Sequence, residues 1–148
     1  MRTYPAGVYP PLLGLAVCAA LTIGCGQQVG KSGEVNPSDV SLNTISRIYT
    51  RAQQQLGRPP RGADELRPYA KDEGDLDKLL VSPNDNQPYV VVWGANMLTP
   101  ADYYMVVVYE RTGANGFRHV LTPTGTLMLS DADFAKATFP LGHKPAGL

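Results

Sequence analysis

Two histidines are the residues of this sequence whose type best suits acid or base chemistry. His119 falls in a segment that we predict to be a strand, and His143 falls in the C-terminal segment. A histidine base needs a serine or cysteine nucleophile within hydrogen-bond reach, but no Gly-x-Ser-x-Gly motif is present and both cysteines lie before residue 26. We therefore expect His119 to meet a carbonyl or water, and we predict no enzyme and no catalytic residue. A small hydrolase with His119 as its base is the alternative.

An acidic stretch is the second candidate for chemistry, because calcium binds where several hard oxygen ligands converge. Residues 72–77 contain acidic side chains and a glycine but no recognised calcium-loop spacing, and basic residues are interspersed around them. We expect a solvated surface with no metal and no cofactor, and calcium binding by this stretch is the alternative. The whole acidic stretch runs over residues 64–77 and has six carboxylates, which are Asp64, Glu65, Asp72, Glu73, Asp75 and Asp77.

The composition argues against a polyanionic partner. The chain has 148 residues, with 13 basic and 13 acidic side chains and a formal net charge of zero. Nucleic acid is usually bound by a clear excess of basic charge, so we expect no nucleic-acid partner. The single tryptophan, Trp93, is expected in the core or at its rim, with stacking on a ligand as the alternative.

A long amphipathic helix is the first element that could position these residues. Apolar side chains recur at steps of three and four over residues 42–56, which puts them on one face of a helix. Pro37 with Ser38 or Ser41 provides the chemistry of a helix start, and Gly57 with the prolines that follow ends it. The apolar positions are Leu42, Ile45, Ile48, Tyr49, Ala52 and Leu56.

Four runs rich in β-branched and aromatic residues predict an antiparallel sheet of three to four strands. The run at residues 103–109 is apolar on both faces, so we predict a central strand that is covered on both sides. With the helix, this gives an α+β fold in a single domain over residues 37–138, followed by a loose tail over residues 139–148. The other runs are residues 89–93, 117–121 and 126–129, and short helices are predicted at 63–67, at 75–80 and after Ser130.

The N-terminus has the features of a signal peptide, predicted over residues 1–24. Residues 12–23 are almost entirely apolar. A helix of about twelve residues spans roughly 18 Å, which is short of a bilayer core of about 30 Å but typical of a signal sequence.

The end of this stretch, Leu21-Thr22-Ile23-Gly24-Cys25-Gly26, resembles the lipobox of bacterial lipoproteins. Thr22 stands where that family usually has leucine. The resemblance implies that Cys25 is lipidated and becomes the new N-terminus, and that residues 25–36 form a flexible linker. A plain cleaved signal peptide and an uncleaved anchor are the alternatives.

Three turn-like motifs resemble the globular head of bacterial pseudopilins of the type II secretion protein G class. A further stretch, residues 118–127, is similar to the tail signature of pilin-like proteins of unknown function from planctomycete-type bacteria. True pseudopilins begin with a prepilin leader and a long apolar helix. This sequence does not have that leader pattern and has a lipobox-like end and a linker in its place. The three motifs are Gly57-Arg58-Pro59-Pro60, Asp64-Glu65-Leu66 and Pro83-Asn84-Asp85-Asn86-Gln87-Pro88-Tyr89.

These resemblances imply a lipoprotein of the cell envelope that is held at a membrane by its lipid and faces the periplasm. They do not distinguish the inner from the outer membrane. We expect a non-catalytic, pseudopilin-like head that binds a protein partner or another component of the envelope. The alternatives are an accessory component of a type II secretion or pilus-like machine, and the small hydrolase.

Overall fold

Four helices and a four-stranded antiparallel sheet make up the part of the chain that the computed structural model describes, residues 35–99 and 104–146. The elements in chain order are α1 (Pro37–Leu56), α2 (Ala63–Ala70), α3 (Leu76–Leu79), β1 (Val90–Val91), β2 (Val108–Tyr109), β3 (Phe117–Thr122), β4 (Gly125–Ser130) and α4 (Asp131–Phe134). The strand order is β1-β2-β3-β4, and the predicted α+β class is confirmed. The predicted signal peptide, Cys25 and nearly all of the predicted linker lie outside the described residues.

Helix α1 begins one residue earlier than its predicted cap. The side chain of Asn36 accepts a hydrogen bond from the Ser38 N–H at 2.9 Å, so Asn36 is the N-cap and the prediction of Ser38 or Ser41 was wrong. The helix ends at Gly57, whose φ of 65° is in the left-handed region that favours glycine. Its predicted apolar face is buried at Leu42, Ile45, Ile48, Tyr49 and Ala52. None of the described helices is long and apolar enough to cross a membrane.

Strand β2 is central in the sheet but shorter than the predicted run of residues 103–109. Only Val108 and Tyr109 pair with both neighbouring strands. The backbone N–H of Val106 instead donates to the carbonyl of Thr138 at 2.9 Å, because the C-terminal segment lies beside it. Tyr104 is 79% exposed, so the start of the predicted strand is not part of the core.

The other strands also differ in length from the prediction. β1 stops short of the predicted end because the chain turns at Gly94, whose N–H donates to the carbonyl of Pro60 at 2.8 Å. β3 and β4 are slightly longer than predicted and form a hairpin around Pro123 and Thr124.

The sheet is covered on both faces, as predicted for its central strand. Side chains alternate along a strand, and His119 in β3 contacts Asp39 of α1 on one face. Tyr109 in β2 lies on the opposite face, with its ring centroid 5.0 Å from that of Phe134 in α4. One face is therefore packed on α1 and the other on α4 and the residues that follow it.

The C-terminal segment is part of this second layer, and the prediction of a loose tail was wrong for residues 139–146. The ring of Phe139 packs edge-on against that of Phe134, with 5.4 Å between centroids. The Tyr109 hydroxyl lies 3.1 Å from His143 Nε2 and accepts a hydrogen bond from the Ala146 N–H at 2.8 Å. Because aromatic side chains bury a large apolar area, this segment contributes to the core.

Candidate functional site

The most distinctive polar feature of the structure is the carboxylate of Glu110, which follows β2 and is 0% exposed. Its Oε1 accepts hydrogen bonds from the hydroxyls of Ser38 at 2.7 Å and Ser82 at 2.8 Å. Its Oε2 accepts from the Asn84 side-chain amide at 3.2 Å and from the His119 backbone N–H at 2.8 Å. A buried carboxylate is tolerated only where such donors replace water. Glu110 therefore joins α1, the loop before β1, and β3.

The loop that supplies two of these donors is itself held by short polar side chains. The Ser82 hydroxyl also accepts from the Asn84 N–H at 3.1 Å, which closes a local turn. The Asp85 carboxylate accepts from the Thr112 N–H and hydroxyl and from the Gly113 N–H, at 2.9 to 3.1 Å. Burial acts to raise the pKa of Asp85, but its hydrogen bonds together bring that pKa below the ordinary value. The loop is thus fastened to the turn that follows β2.

His119, the histidine in the predicted strand, lies beside the Glu110 network. Its Nδ1 is 2.9 Å from Asp39 Oδ1, so the prediction of a carbonyl or water partner was wrong. The His119 side chain is 7% exposed and that of Asp39 is 36% exposed. A histidine oriented by a carboxylate is also found in catalytic triads. However, the hydroxyls of Ser38 and Ser82 donate to Glu110, and the contact between Asp39 and His119 holds α1 against β3.

A cavity of about 180 Å³ borders the Glu110 network, because two of its lining residues, Ser38 and Asn84, donate hydrogen bonds to Glu110. Its other lining residues are Asn36, Pro37 and Pro83. Drug-sized ligands occupy pockets of about 300 Å³ or more, so this cavity suits water or a very small molecule.

The second cavity, of about 420 Å³, is a cleft between the end of β1 and the C-terminal segment, and its lining includes Trp93 and His143. Trp93 is 37% exposed and stacks on Tyr49 with 6.5 Å between ring centroids, so it lies at the rim of the core, which is one of the two positions predicted for it. His143 is held by the Tyr109 hydroxyl, and burial lowers its pKa.

Four of the six carboxylates in the acidic stretch of residues 64–77 are paired with arginine side chains. Two hydrogen bonds of 2.9 Å from Arg58 hold Glu65 and, with a backbone N–H, lower its pKa to about 2. Among the described residues, no group of three or more acidic, histidine or cysteine side chains is placed to hold a metal ion. The remaining arginine pairs are Arg67 with Asp64 and Asp77, and Arg47 and Arg51 with Glu73.

Sequence reasoning identified His119 but missed Glu110. Glu110 stands at the end of an apolar run and before Arg111, which is typical of a strand that is leaving the core. The available signal was the occurrence of serines at two loop or helix boundaries, Ser38 and Ser82, because such hydroxyls need a partner when buried.

The fold and this network define a small α+β domain stabilised around a buried carboxylate. No protein-family model, curated protein or solved structure matches the chain. Its function is therefore argued from its own residues.

Proposed function

We propose that this protein is a lipoprotein of the bacterial cell envelope, anchored in a membrane through Cys25, with a small non-catalytic head that works by binding. The apolar stretch over residues 12–23 and the small residues around Cys25 support cleavage and lipidation there. Acyl chains contribute about 0.8 kcal/mol per buried methylene, so several chains on one cysteine hold a protein firmly at a membrane. The anchor thus holds the protein at the membrane, and the head binds its partners there.

The observation that best supports this proposal is that the N-terminus of α1, where the predicted linker ends, is held firmly to the head. Asn36, the N-cap of α1, lies eleven positions after Cys25 (36 − 25 = 11). The first turn of the helix is then fixed by two contacts to the sheet, from Ser38 to Glu110 at 2.7 Å and from Asp39 to His119 at 2.9 Å. The ends of domains usually fray. A first turn of α1 that is held by two such contacts is what we expect of a head attached to a membrane through its N-terminus.

The length of the linker fits a head that stands just off the membrane. If residues 25–36 form the predicted flexible linker, its root-mean-square length is about 5–6 Å multiplied by the square root of the number of residues, which is roughly 18 Å for eleven residue steps. That distance is comparable with the size of the head, for which a chain of about 110 residues has a radius of gyration near 13 Å. The head would therefore be free to turn and to meet partners at the same surface.

The pseudopilin resemblance supports a second candidate, an accessory role in a type II secretion or pilus-like machine. The order of elements favours it, because α1 is followed by a break at Gly57, the short helix α2, and a turn at residues 82–88 that leads into β1. Crosslinking in intact cells should then recover pilin-like subunits with this protein. Their consistent absence at native expression levels would count against that role.

The lipid anchor is tested by metabolic labelling with an alkyne fatty acid in a bacterial host. We expect the unmodified protein to be labelled and to sediment with membranes, and the Cys25→Ser protein to lose the label. Cys18→Ser is the matched control, because Cys18 lies within the predicted signal peptide and should leave labelling unchanged. Equal labelling of the Cys25→Ser protein, or no labelling of any of them, would contradict the proposal.

A further inference from the structure

Strand β4 is an edge strand that lacks the usual protection against pairing. It hydrogen-bonds to β3 on one side only, because it is last in the strand order. Edge strands are normally kept from pairing by charge, proline or short length. β4 has six residues, none of them charged and none of them proline, whereas β1 at the opposite edge has only two.

The register shows which backbone groups of β4 point outward. The Glu110 N–H donates to the His119 carbonyl, so the backbone of His119 faces β2. The backbone N–H and C=O groups of successive residues point to opposite sides of an antiparallel strand. Those of Val120 therefore point toward β4, and those of its partner Leu127 point toward β3. The backbone groups of Thr126 and Met128 therefore point away from the sheet. No turn, loop or cap hydrogen bond among the described residues reaches them.

The side chains along this edge are also unusually apolar for an exposed position. Met128 is 59% exposed, and Phe117, which shares its face of the sheet, is 43% exposed. Leu127, on the other face, is 43% exposed. A strand added beside β4 would thus gain backbone hydrogen bonds and cover apolar surface on both faces.

We propose that this edge binds a second copy of the chain, with the two β4 strands antiparallel about a two-fold axis at Met128. This register is self-complementary, because it places Met128 opposite Met128, Leu127 opposite Leu129, and Thr126 opposite Ser130. The acidic residues that follow β4 fall at opposite ends of the pair, and the zero formal net charge of the chain gives no long-range repulsion. The two sheets become one sheet of eight strands.

The size of this contact shows where it should form. A six-residue strand is about 20 Å long, so a contact between two such strands is narrow. Stable complexes bury about 1,200 Å² or more, so the contact should be weak in dilute solution. Anchoring both heads in one membrane raises their effective concentration and compensates for this. The second copy is then a partner for the proposed binding role. The dimer rests on that proposed function, because the membrane anchor is what makes the weak contact form.

The first test is disulfide trapping of the full-length chain in isolated membranes. Opposed Cα atoms in a hydrogen-bonded antiparallel pair lie about 5.5 Å apart, which is within the range of about 4.4–6.8 Å that a disulfide spans. We expect Met128→Cys to give several-fold more disulfide-linked dimer than Leu141→Cys, a control at a fully exposed position. The unmodified chain gives the background from its own cysteines. Equal yields at both positions would overturn the inference.

The second test concerns the register and the edge itself. Co-expressed Leu127→Cys and Leu129→Cys chains should link to each other more than either links to itself. Adding Met128→Lys to both chains should abolish the linkage, since a charge at the edge disfavours pairing. Leu98→Lys, at another exposed apolar position, should not affect it. Loss of linkage with both lysines would overturn the inference.

The outcomes also separate this inference from the proposed function. If Cys25 carries no acyl chain but Met128→Cys still dimerises at high protein concentration, the anchor fails and the dimer stands. If Cys25 is acylated but Met128→Cys links only to a different polypeptide, the anchor stands and the second copy is rejected as the occupant.

Discussion

Replacing Glu110 by alanine is the most informative perturbation of the fold, because its carboxylate accepts hydrogen bonds from α1, the loop before β1, and β3. Two of the donors left behind, the hydroxyls of Ser38 and Ser82, are on residues that are 0% exposed. The third is the backbone N–H of His119, which is on a residue that is 6% exposed. The fourth, the Asn84 amide, is on an exposed residue and can turn to water.

The expected cost follows from these three buried donors. A buried donor without an acceptor costs about 1–3 kcal/mol. Hydroxyls can rotate toward other acceptors, so the two serines fall at the lower end, while the backbone N–H does not rotate. We therefore expect Glu110→Ala to lower the free energy of unfolding by about 4 kcal/mol, which is a large part of the about 5–15 kcal/mol that stabilises a domain. Glu110→Gln keeps the volume but turns one acceptor into a donor, and should cost about 2 kcal/mol.

Equilibrium unfolding in urea measures these values, provided that the slope of the transition is unchanged. Asp64→Asn is the matched control, since the Asp64 side chain is 96% exposed, and it should leave the midpoint unmoved. The double variant Ser38→Ala with Glu110→Ala should cost less than the sum of the two single changes, because the two side chains contact each other. A loss below about 1 kcal/mol for Glu110→Ala would refute the account of the network.

Three further perturbations test other parts of the structure. Burial raises the pKa of Tyr49 to about 12. The neutral phenol is thus favoured in the fold, and stability present below about pH 10 should fall by up to about 3 kcal/mol as the pH rises toward 12. The fall should be smaller in Tyr49→Phe, in which the burial of Tyr89 still raises a phenol pKa. Asp39→Asn should lower the unfolding free energy by about 1 kcal/mol, because it weakens a contact to His119 that is partly solvated. Phe139→Ala should cost about 2 kcal/mol in urea unfolding, whereas a loose tail would give no change.

The helix and the sheet were predictable because their signals are local. The spacing from Leu42 to Ala52 depends only on the period of a helix, and the burial of those residues agrees with it. Asn115 and Gly116 have φ values of 55° and 77°, as expected for the turn before β3. Ser130 caps α4 through a hydrogen bond from the Asp133 N–H at 3.1 Å, also as predicted. Each of these features is decided by residues that are close together in the sequence.

The features that sequence reasoning missed depend on contacts between distant residues. Ser38 and Glu110 are 72 positions apart, and Asp39 and His119 are 80 positions apart. No local pattern pairs them, so a buried carboxylate looked like an ordinary strand end. The same holds for the segment around Phe139, whose glycines and prolines read as an irregular end of the chain but whose Phe139 ring packs on the aromatic ring of Tyr109. Cys25 lies outside the described residues, and its lipidation remains a prediction.

Intact-mass analysis of the protein extracted from membranes of an expressing bacterium tests the central claim most directly. The account predicts a chain that begins at Cys25 and is heavier than the polypeptide by the mass of its attached acyl groups. An unacylated chain that still begins at Met1, recovered from the soluble fraction, would contradict it.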